Sequence, residues 1–437
     1  MRRRICWRSQ RSHRWLAVAS LSLLVLLLQA CGGDNGFNTK QTKGGSQGVG
    51  ISNNTFAGRL MFVKAGNILI LNGNDDSLTQ VTSDGDSFQP SLSRDGKTIA
   101  FELRKPGNDY SDLATMPLSG GTPTLHTDNR LLCKCDPDKS GVYHYEFWAG
   151  NPIWSNDDQQ IIYLSDFYKG GRATPIVNQT CVSNALKDSI QDMEIVERPA
   201  NDQAAPALQH PPKLLAWPYC YAGGDQDLSL RPGVSDTEVL FTSFQYIPPQ
   251  DTDFTAQLSL LIVSPNGQNQ IIQLSPPDAN DVVLEPSFSP DGRYITYIKR
   301  ENGQDNLYIT PVDTTITGTA NDEFYHLAGG GSTTYYTNTS YYMKAQLLAS
   351  GIIGQPVWGS NNTLFFIMFN NGEFNLYMAK MKFSNPAATS TPAASPTPGA
   401  APTASGSAAP VITLDGSPVQ LTQGGVDADS RPVWFSS

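Results

Sequence analysis

Catalysis needs a nucleophile beside a base, converging carboxylates or a cluster of metal ligands, and each leaves a spacing that can be sought in a chain. Ser46 lies in Gly44-Gly45-Ser46-Gln47-Gly48, which matches G-x-S-x-G. A nucleophile elbow also needs a buried strand before the Ser and a helix after it. Here residues 32–57 are rich in Gly, Asn, Ser, Thr and Gln with no apolar period, so the match is read as chance and the stretch as a flexible tether. H-E-x-x-H and P-loop patterns are absent, and the 437 residues include 5 His. The expectation is a chain that is not an enzyme and carries no cofactor and no metal.

The cysteines divide into two groups. Residues 1–30 combine six Arg, an apolar run over 15–28 and Leu28-Gln29-Ala30 before Cys31. A basic region followed by an apolar run too short for a permanent span reads as a signal peptide. Its end matches the bacterial lipobox, whose Cys takes a diacylglyceryl group, so Cys31 is the expected lipidation site and first mature residue. Attachment to a bacterial membrane, on the cell surface or the periplasmic side, would then come from the acyl chains. Cys133, Cys135, Cys181 and Cys220 fall in or beside predicted long loops and are expected as two disulfides in an exported protein, with the connectivity open. The alternative for them is a metal site completed by His144, for which a single C-x-C is weak support.

Charge narrows the partners. The 437 residues hold 30 basic and 40 acidic side chains, and loss of the six Arg of 1–30 leaves 24 against 40, a formal charge of −16. Such a surface repels nucleic acid and anionic headgroups.

A repeat supplies the architecture. Residues 285–298 read E-P-S-F-S-P-D-G-R-Y-I-T-Y-I, and Asp291-Gly292 is a hairpin signal, expected as a type I′ turn. Related stretches begin at Gln89, Asn151, Asp227, Gln355 and Arg431, giving six copies. Repetition at this scale marks solenoids and propellers. The S-P-D-G hairpin, followed by I-x-Y/F and two further strands, resembles the TolB-type β-propeller repeat, a relative of the WD-type repeat, from about Gly58 to the C-terminus. The resemblance implies an all-β, six-bladed propeller over 58–437, interrupted by a Pro/Ala/Ser/Thr-rich insertion at 384–409. It implies little about activity, since one fold hosts many functions.

The order of strands predicts how the ring closes. The domain opens on the second strand of a blade, at 59–63, and the chain ends on an inner strand, at 432–437. Pairing these two would leave no exposed edge. Trp434 occupies the place of Trp154 and Trp358 in other copies and is expected to be buried between blades. The outermost strands of the fourth and fifth blades are expected at 270–275 and 324–328.

Two sets of candidate binding residues follow. Gln89, Asn151, Asp227, Glu285, Gln355 and Arg431 stand at equivalent positions and should line the mouth of the central channel. Tyr335, Tyr336, Tyr341 and Tyr342 lie in a long loop on the face that carries most insertions, at 105–111, 127–150, 168–192, 246–256 and 329–354. Clustered tyrosines suit either recognition or loop packing. The function expected from all this is a monomeric, lipid-anchored scaffold that binds an envelope protein or cell-wall glycan. The competing reading is a propeller hydrolase or lyase acting on envelope or extracellular polysaccharide, and a channel that senses a small ligand is a third.

Overall fold

The computed structural model describes residues 48–52, 56–105, 107, 110–133, 143–167, 193–205, 210–216, 222–246, 254–274, 282–326, 332–338, 345–360, 362–384 and 410–436. Among them the regular structure is strand alone, arranged as a β-propeller of antiparallel sheets.

The inner hairpin turns show how the repeat is encoded. At residues 289–294 the Ser289 N–H donates to Tyr294 O at 2.9 Å and Gly292 N–H to Ser289 O at 2.8 Å. Ser289 Oγ donates to Asp291 Oδ1 at 2.6 Å, and the same oxygen accepts Arg293 N–H at 3.1 Å. The pattern recurs at Ser93 with Asp95, Ser155 with Asp157 and Ser360 with Asn362. Of Asp291 and Gly292 only Gly292 has positive φ, at 66°, so the expected type I′ turn is instead a type I turn closed by a left-handed residue. Pro290 fits its second position because its φ is fixed near the required value. Paired positive φ values, the mark of type I′, occur instead in the next connection outward, at Ala65-Gly66, Asn302-Gly303 and Asn371-Gly372.

Strand pairing follows the repeat. Ser87–Leu92, Thr98–Leu103, Asp112–Pro117 and Thr124–Leu125 form one four-stranded sheet, and Ala149–Trp154, Gln160–Ser165, Glu194–Pro199 and Lys213–Ala216 form another. A third four-stranded sheet joins the two ends of the chain: Val433–Phe435 pairs antiparallel with Arg59–Lys64, Leu60 opposite Trp434. A five-stranded sheet contains Ile353–Trp358, Thr363–Asn370 and Glu373–Ser384. The largest sheet has ten strands, and Ala222–Leu230 and Val282–Phe288 start two antiparallel runs in it that touch at a single parallel pair, Ala256 opposite Val282. Apolar residues fill the gaps between sheets: Leu60, Phe62 and Leu69 meet Phe365 and Leu376, while Met61 and Ile68 meet Ile99 and Phe101.

Several expectations change. Trp154 and Trp358 are buried, but Trp434 is only half-buried, with its indole N–H on Ala57 O at 2.8 Å. The propeller starts before residue 58: Gly50–Ile51 pairs with Thr422–Gln423, and Val49, Ile51 and Phe56 are buried against Phe365 and Leu421. Within the stretch that was read as tether, Gly50–Ile51 is therefore a strand in a two-stranded sheet of its own with Thr422–Gln423. Near 324–328 the strand Gly318–His326 pairs with Ser332–Thr337, which lies parallel to Gln268–Gln273 of the neighbouring run. The outermost strand of its own run is Gln346–Ala349. Within 127–150 a hairpin pairs Arg130–Cys133 with Tyr143–Glu146. The 246–256 insertion is shorter than expected, since its flanking strands run on to Tyr246 and begin again at Phe254.

Candidate functional site

Five of the six equivalent positions share one backbone device. Gln89, Asn151, Asp227, Glu285 and Gln355 all have positive φ, from 48° to 59°. Each sits in an inner strand where the register slips, between Phe88 and Ser91, Gly150 and Ile153, Gln226 and Ser229, Leu284 and Ser287, and Gly354 and Val357. A bulge of this kind bends the strand and withdraws N–H groups from the ladder. The next residue is Pro in four cases and Leu228 in the fifth; Pro has no N–H to leave unpaired.

The freed N–H groups are met by side chains from the preceding sheet. Asn151 N–H donates to Gln89 Oε1 at 2.5 Å, Leu228 N–H to Asn151 Oδ1 at 2.8 Å and Glu285 N–H to Asp227 Oδ2 at 3.1 Å. Gln355 N–H donates to Glu285 Oε2, and Gln355 Nε2 donates to Glu285 Oε1 at 3.0 Å. Gln89 N–H finds Ser430 Oγ at 3.2 Å. The position calls for a side chain with an acceptor oxygen, which is why Gln, Asn, Asp and Glu alternate there. Sequence reading placed these residues together at the channel mouth and missed their task, although the shared acceptor chemistry was visible.

Arg431 departs from this pattern. It lies outside any strand, before Val433–Phe435, and its Nη1 donates to Leu228 O at 2.9 Å, 203 residues away. Its Nε and Nη2 atoms are shielded from solvent and have no hydrogen-bond partner among the described residues. Burial pushes the Asp227 and Glu285 carboxyls up, opposed by the charge of Arg431, and Glu285 reaches about 8 through burial and then the charge of Asp227. Burial therefore favours the neutral form of Glu285.

A cavity of about 390 Å³ is lined in part by Arg431. Its lining includes Arg431, Ser91, Asn151 and Ser229, with Pro290 and Gly359 at the hairpin turns. Asp227, Glu285 and Gln355 are not part of that lining. A second charged group stands nearby: Arg104 binds buried Glu102 through two bonds of 2.9 and 3.0 Å, lies 3.5 Å from Asp429 and stacks on Phe88. Its charges are matched, which suits a structural clasp.

The other sequence candidates are less visible. Tyr336 is half-buried and packs with Leu274 and Val283, a packing role. Tyr335 lies in the same strand with its side chain outside the described set, and Tyr341 and Tyr342 lie outside the described residues. So do Cys31, Cys135, Cys181 and Cys220, while Cys133 is described in its backbone only, within Arg130–Cys133. Among the described residues no three His, Cys, Asp or Glu side chains gather as a metal site, and no helix is long and apolar enough to cross a membrane.

No family model matches the chain, and no curated protein matches it. Solved structures that it resembles include TolB from Agrobacterium tumefaciens, 12% identical over 74% of this chain and 85% of that one, with a TM-score of 0.41. Oligogalacturonate lyase in complex with manganese is 11% identical over 79% and 81%, with a TM-score of 0.39. The β-propeller domain of the Trilobed protease from Pyrococcus furiosus is 12% identical over 75% and 80%, with a TM-score of 0.35. At such values none of them assigns an activity to this chain.

Proposed function

We propose that the chain is an extracytoplasmic binding module: a six-bladed propeller, anchored through lipidated Cys31, that presents its insertion-bearing face to an envelope protein or cell-wall glycan. The observation that carries this reading is the use made of the ring residues. Four of the channel-mouth carboxyls and amides, those of Gln89, Asn151, Asp227 and Glu285, hold the backbone of the next sheet. Groups fixed in that way serve rigidity, and a rigid ring with elaborated loops suits recognition.

Support for six blades comes from the way the sheets and core divide. The two runs of the ten-stranded sheet, the five-stranded sheet and the three four-stranded sheets make six units. Six apolar clusters lie between consecutive units, including the last and first.

The anchor would leave from the insertion-bearing side. Lys64, beside the second-to-third strand turn, donates to Gly424 O and, at 3.1 Å, to Gly425 O. Gly424 packs on Gly48 O, so the chain emerges at the face where the turn and the return to the inner strand meet. From Cys31 to Gly48 it reaches at most about 60 Å fully extended, which keeps that face close to the membrane. Two disulfides among Cys133, Cys135, Cys181 and Cys220 would staple loops on the same face.

Crosslinking on intact cells, followed by pull-down of the wild-type and Cys31→Ser chains, tests the module. The wild type should enrich one envelope partner from the membrane fraction, and Cys31→Ser should leave that fraction. Release of new reducing ends or unsaturated sugars from envelope polysaccharide by the purified chain would establish the hydrolase or lyase instead.

A further inference from the structure

We propose that the channel cavity is a binding site for a small hydroxylated carboxylate, with Arg431 as the group that reads its charge. The proposal deepens the binding-module reading by naming a ligand class for a second site on the same ring.

Charge selection comes from the lining. In a chain with 40 acidic residues against 30 basic ones, the cavity walls contain one cation, Arg431, and no acid. Among the described residues its hydrogen bond uses Nη1, which leaves Nε and Nη2 shielded from solvent and unbonded. A guanidinium has five N–H groups arranged to meet a carboxylate in two parallel bonds. Dry, unbonded N–H groups carry a desolvation cost that a carboxylate would relieve once the side chain turns toward the cavity. Arg431 feels the charge of both Asp227 and Glu285, whose carboxyls burial pushes toward their neutral forms.

Hydroxyl selection comes from the neutral groups. Ser91 Oγ and Asn151 Nδ2 have no hydrogen-bond partner among the described residues, and Ser229 Oγ accepts Phe288 N–H while keeping its own proton to donate. Pro90, Pro152 and Phe288 give the walls apolar area between these polar points. A volume of about 390 Å³ lies at the lower end of the range for small-molecule pockets. One sugar acid would fill it, with its carboxylate at Arg431 and its hydroxyls at the Ser and Asn groups.

Calorimetric titration of the full mature chain carrying Cys31→Ser provides the test, with D-glucuronate as probe and D-glucose as its uncharged counterpart. Glucuronate should bind saturably with a submillimolar dissociation constant, and glucose at least tenfold more weakly. Arg431→Gln should lose at least tenfold toward glucuronate and little toward glucose. Ser91→Trp, which fills the cavity and leaves Arg431 intact, should abolish both and keeps the test open if Arg431→Gln does not fold. Equal binding of the two sugars, no binding of glucuronate, or undiminished binding in a folded Arg431→Gln or Ser91→Trp chain would overturn the proposal. The titration needs no protein partner: a chain that captures none and still takes glucuronate upholds the site and overturns the scaffold reading alone.

Discussion

Glu285 takes both the backbone N–H and the side-chain amide of Gln355, 70 residues further along the chain, and so bolts one inner strand to the next. It does so as a carboxyl raised from 4.5 to about 8 by burial and by neighbouring Asp227. Such a group binds its proton more tightly folded than unfolded. The stability it contributes is therefore full below about pH 4.5 and is lost as pH rises toward 8. Raised Asp227 acts in the same direction. Thermal midpoints should fall between pH 5 and pH 9, and Glu285→Gln, which keeps an acceptor oxygen and has no proton to lose, should flatten that fall. A slope unchanged in Glu285→Gln would assign it to other groups.

The buried start of the propeller gives a second test. Phe56 is buried and meets Phe365 edge-on, with ring centroids 5.0 Å apart. Phe56→Ala should cost about 3 to 5 kcal/mol, as for other buried aromatic truncations, measured as a shift in the urea midpoint with an unchanged slope. A residue in a free tether would cost nothing.

That residue also shows where sequence reading stops. The repeat was legible because four of the six copies carry both a hairpin turn and an X-Pro step, which are local signals; the closing pair Arg59–Lys64 and Val433–Phe435 was legible because an unpaired edge at each end pointed to it. Phe56 and Ile51 were missed because two or three apolar residues among Gly, Asn and Ser have no period, and their partners Phe365 and Leu421 are more than 300 residues away. Five of the six equivalent positions share a bulge, and the acceptor role of their side chains depends on a pairing register that the sequence does not show. Arg431 looked like a sixth member of the ring, yet it lacks the positive φ and bonds to Leu228.

Asp158 sets two effects against each other. It stands where Gly96 and Gly292 stand in other copies, with φ of 58°, and Gly there would relieve about 1 kcal/mol of left-handed strain. Its carboxylate also accepts Arg94 N–H at 2.8 Å and Asp95 N–H at 3.1 Å from the neighbouring hairpin. Bonds to a charged group contribute about 1.5 to 3 kcal/mol each, less in solvent. Two of them outweigh the strain, so Asp158→Gly should destabilise by about 1 kcal/mol in chemical denaturation, and Asp158→Asn by less. A stabilised Asp158→Gly chain would show that the clasp between hairpins has no net effect.

Ring closure is the most exacting test because it joins the two ends of the propeller. Arg59, Leu60 and Met61 lie opposite Phe435, Trp434 and Val433, and the indole of Trp434 reaches Ala57 O at 2.8 Å. Gly58 makes that approach possible: a Cβ there would lie 2.6 Å from Phe435 O and 2.8 Å from Trp434 Nε1. Its φ is 91°, close to the 88° of Gly416, where a Cβ would meet nothing within 4 Å. Gly416→Ala should therefore cost the backbone strain alone, about 1 to 3 kcal/mol, and Gly58→Ala should cost more by the price of displacing the closing strand. Trp434→Ala should cost about 2 kcal/mol, below the range for a fully buried Trp, because the side chain is half-buried. Removal of residues 433–437 bares the edge of Arg59–Lys64 and should produce aggregation or a broadened melt, visible by size-exclusion chromatography and circular dichroism. Equal losses for Gly58→Ala and Gly416→Ala, together with a truncated chain that stays monomeric and melts sharply, would mean that the ring does not depend on this seam.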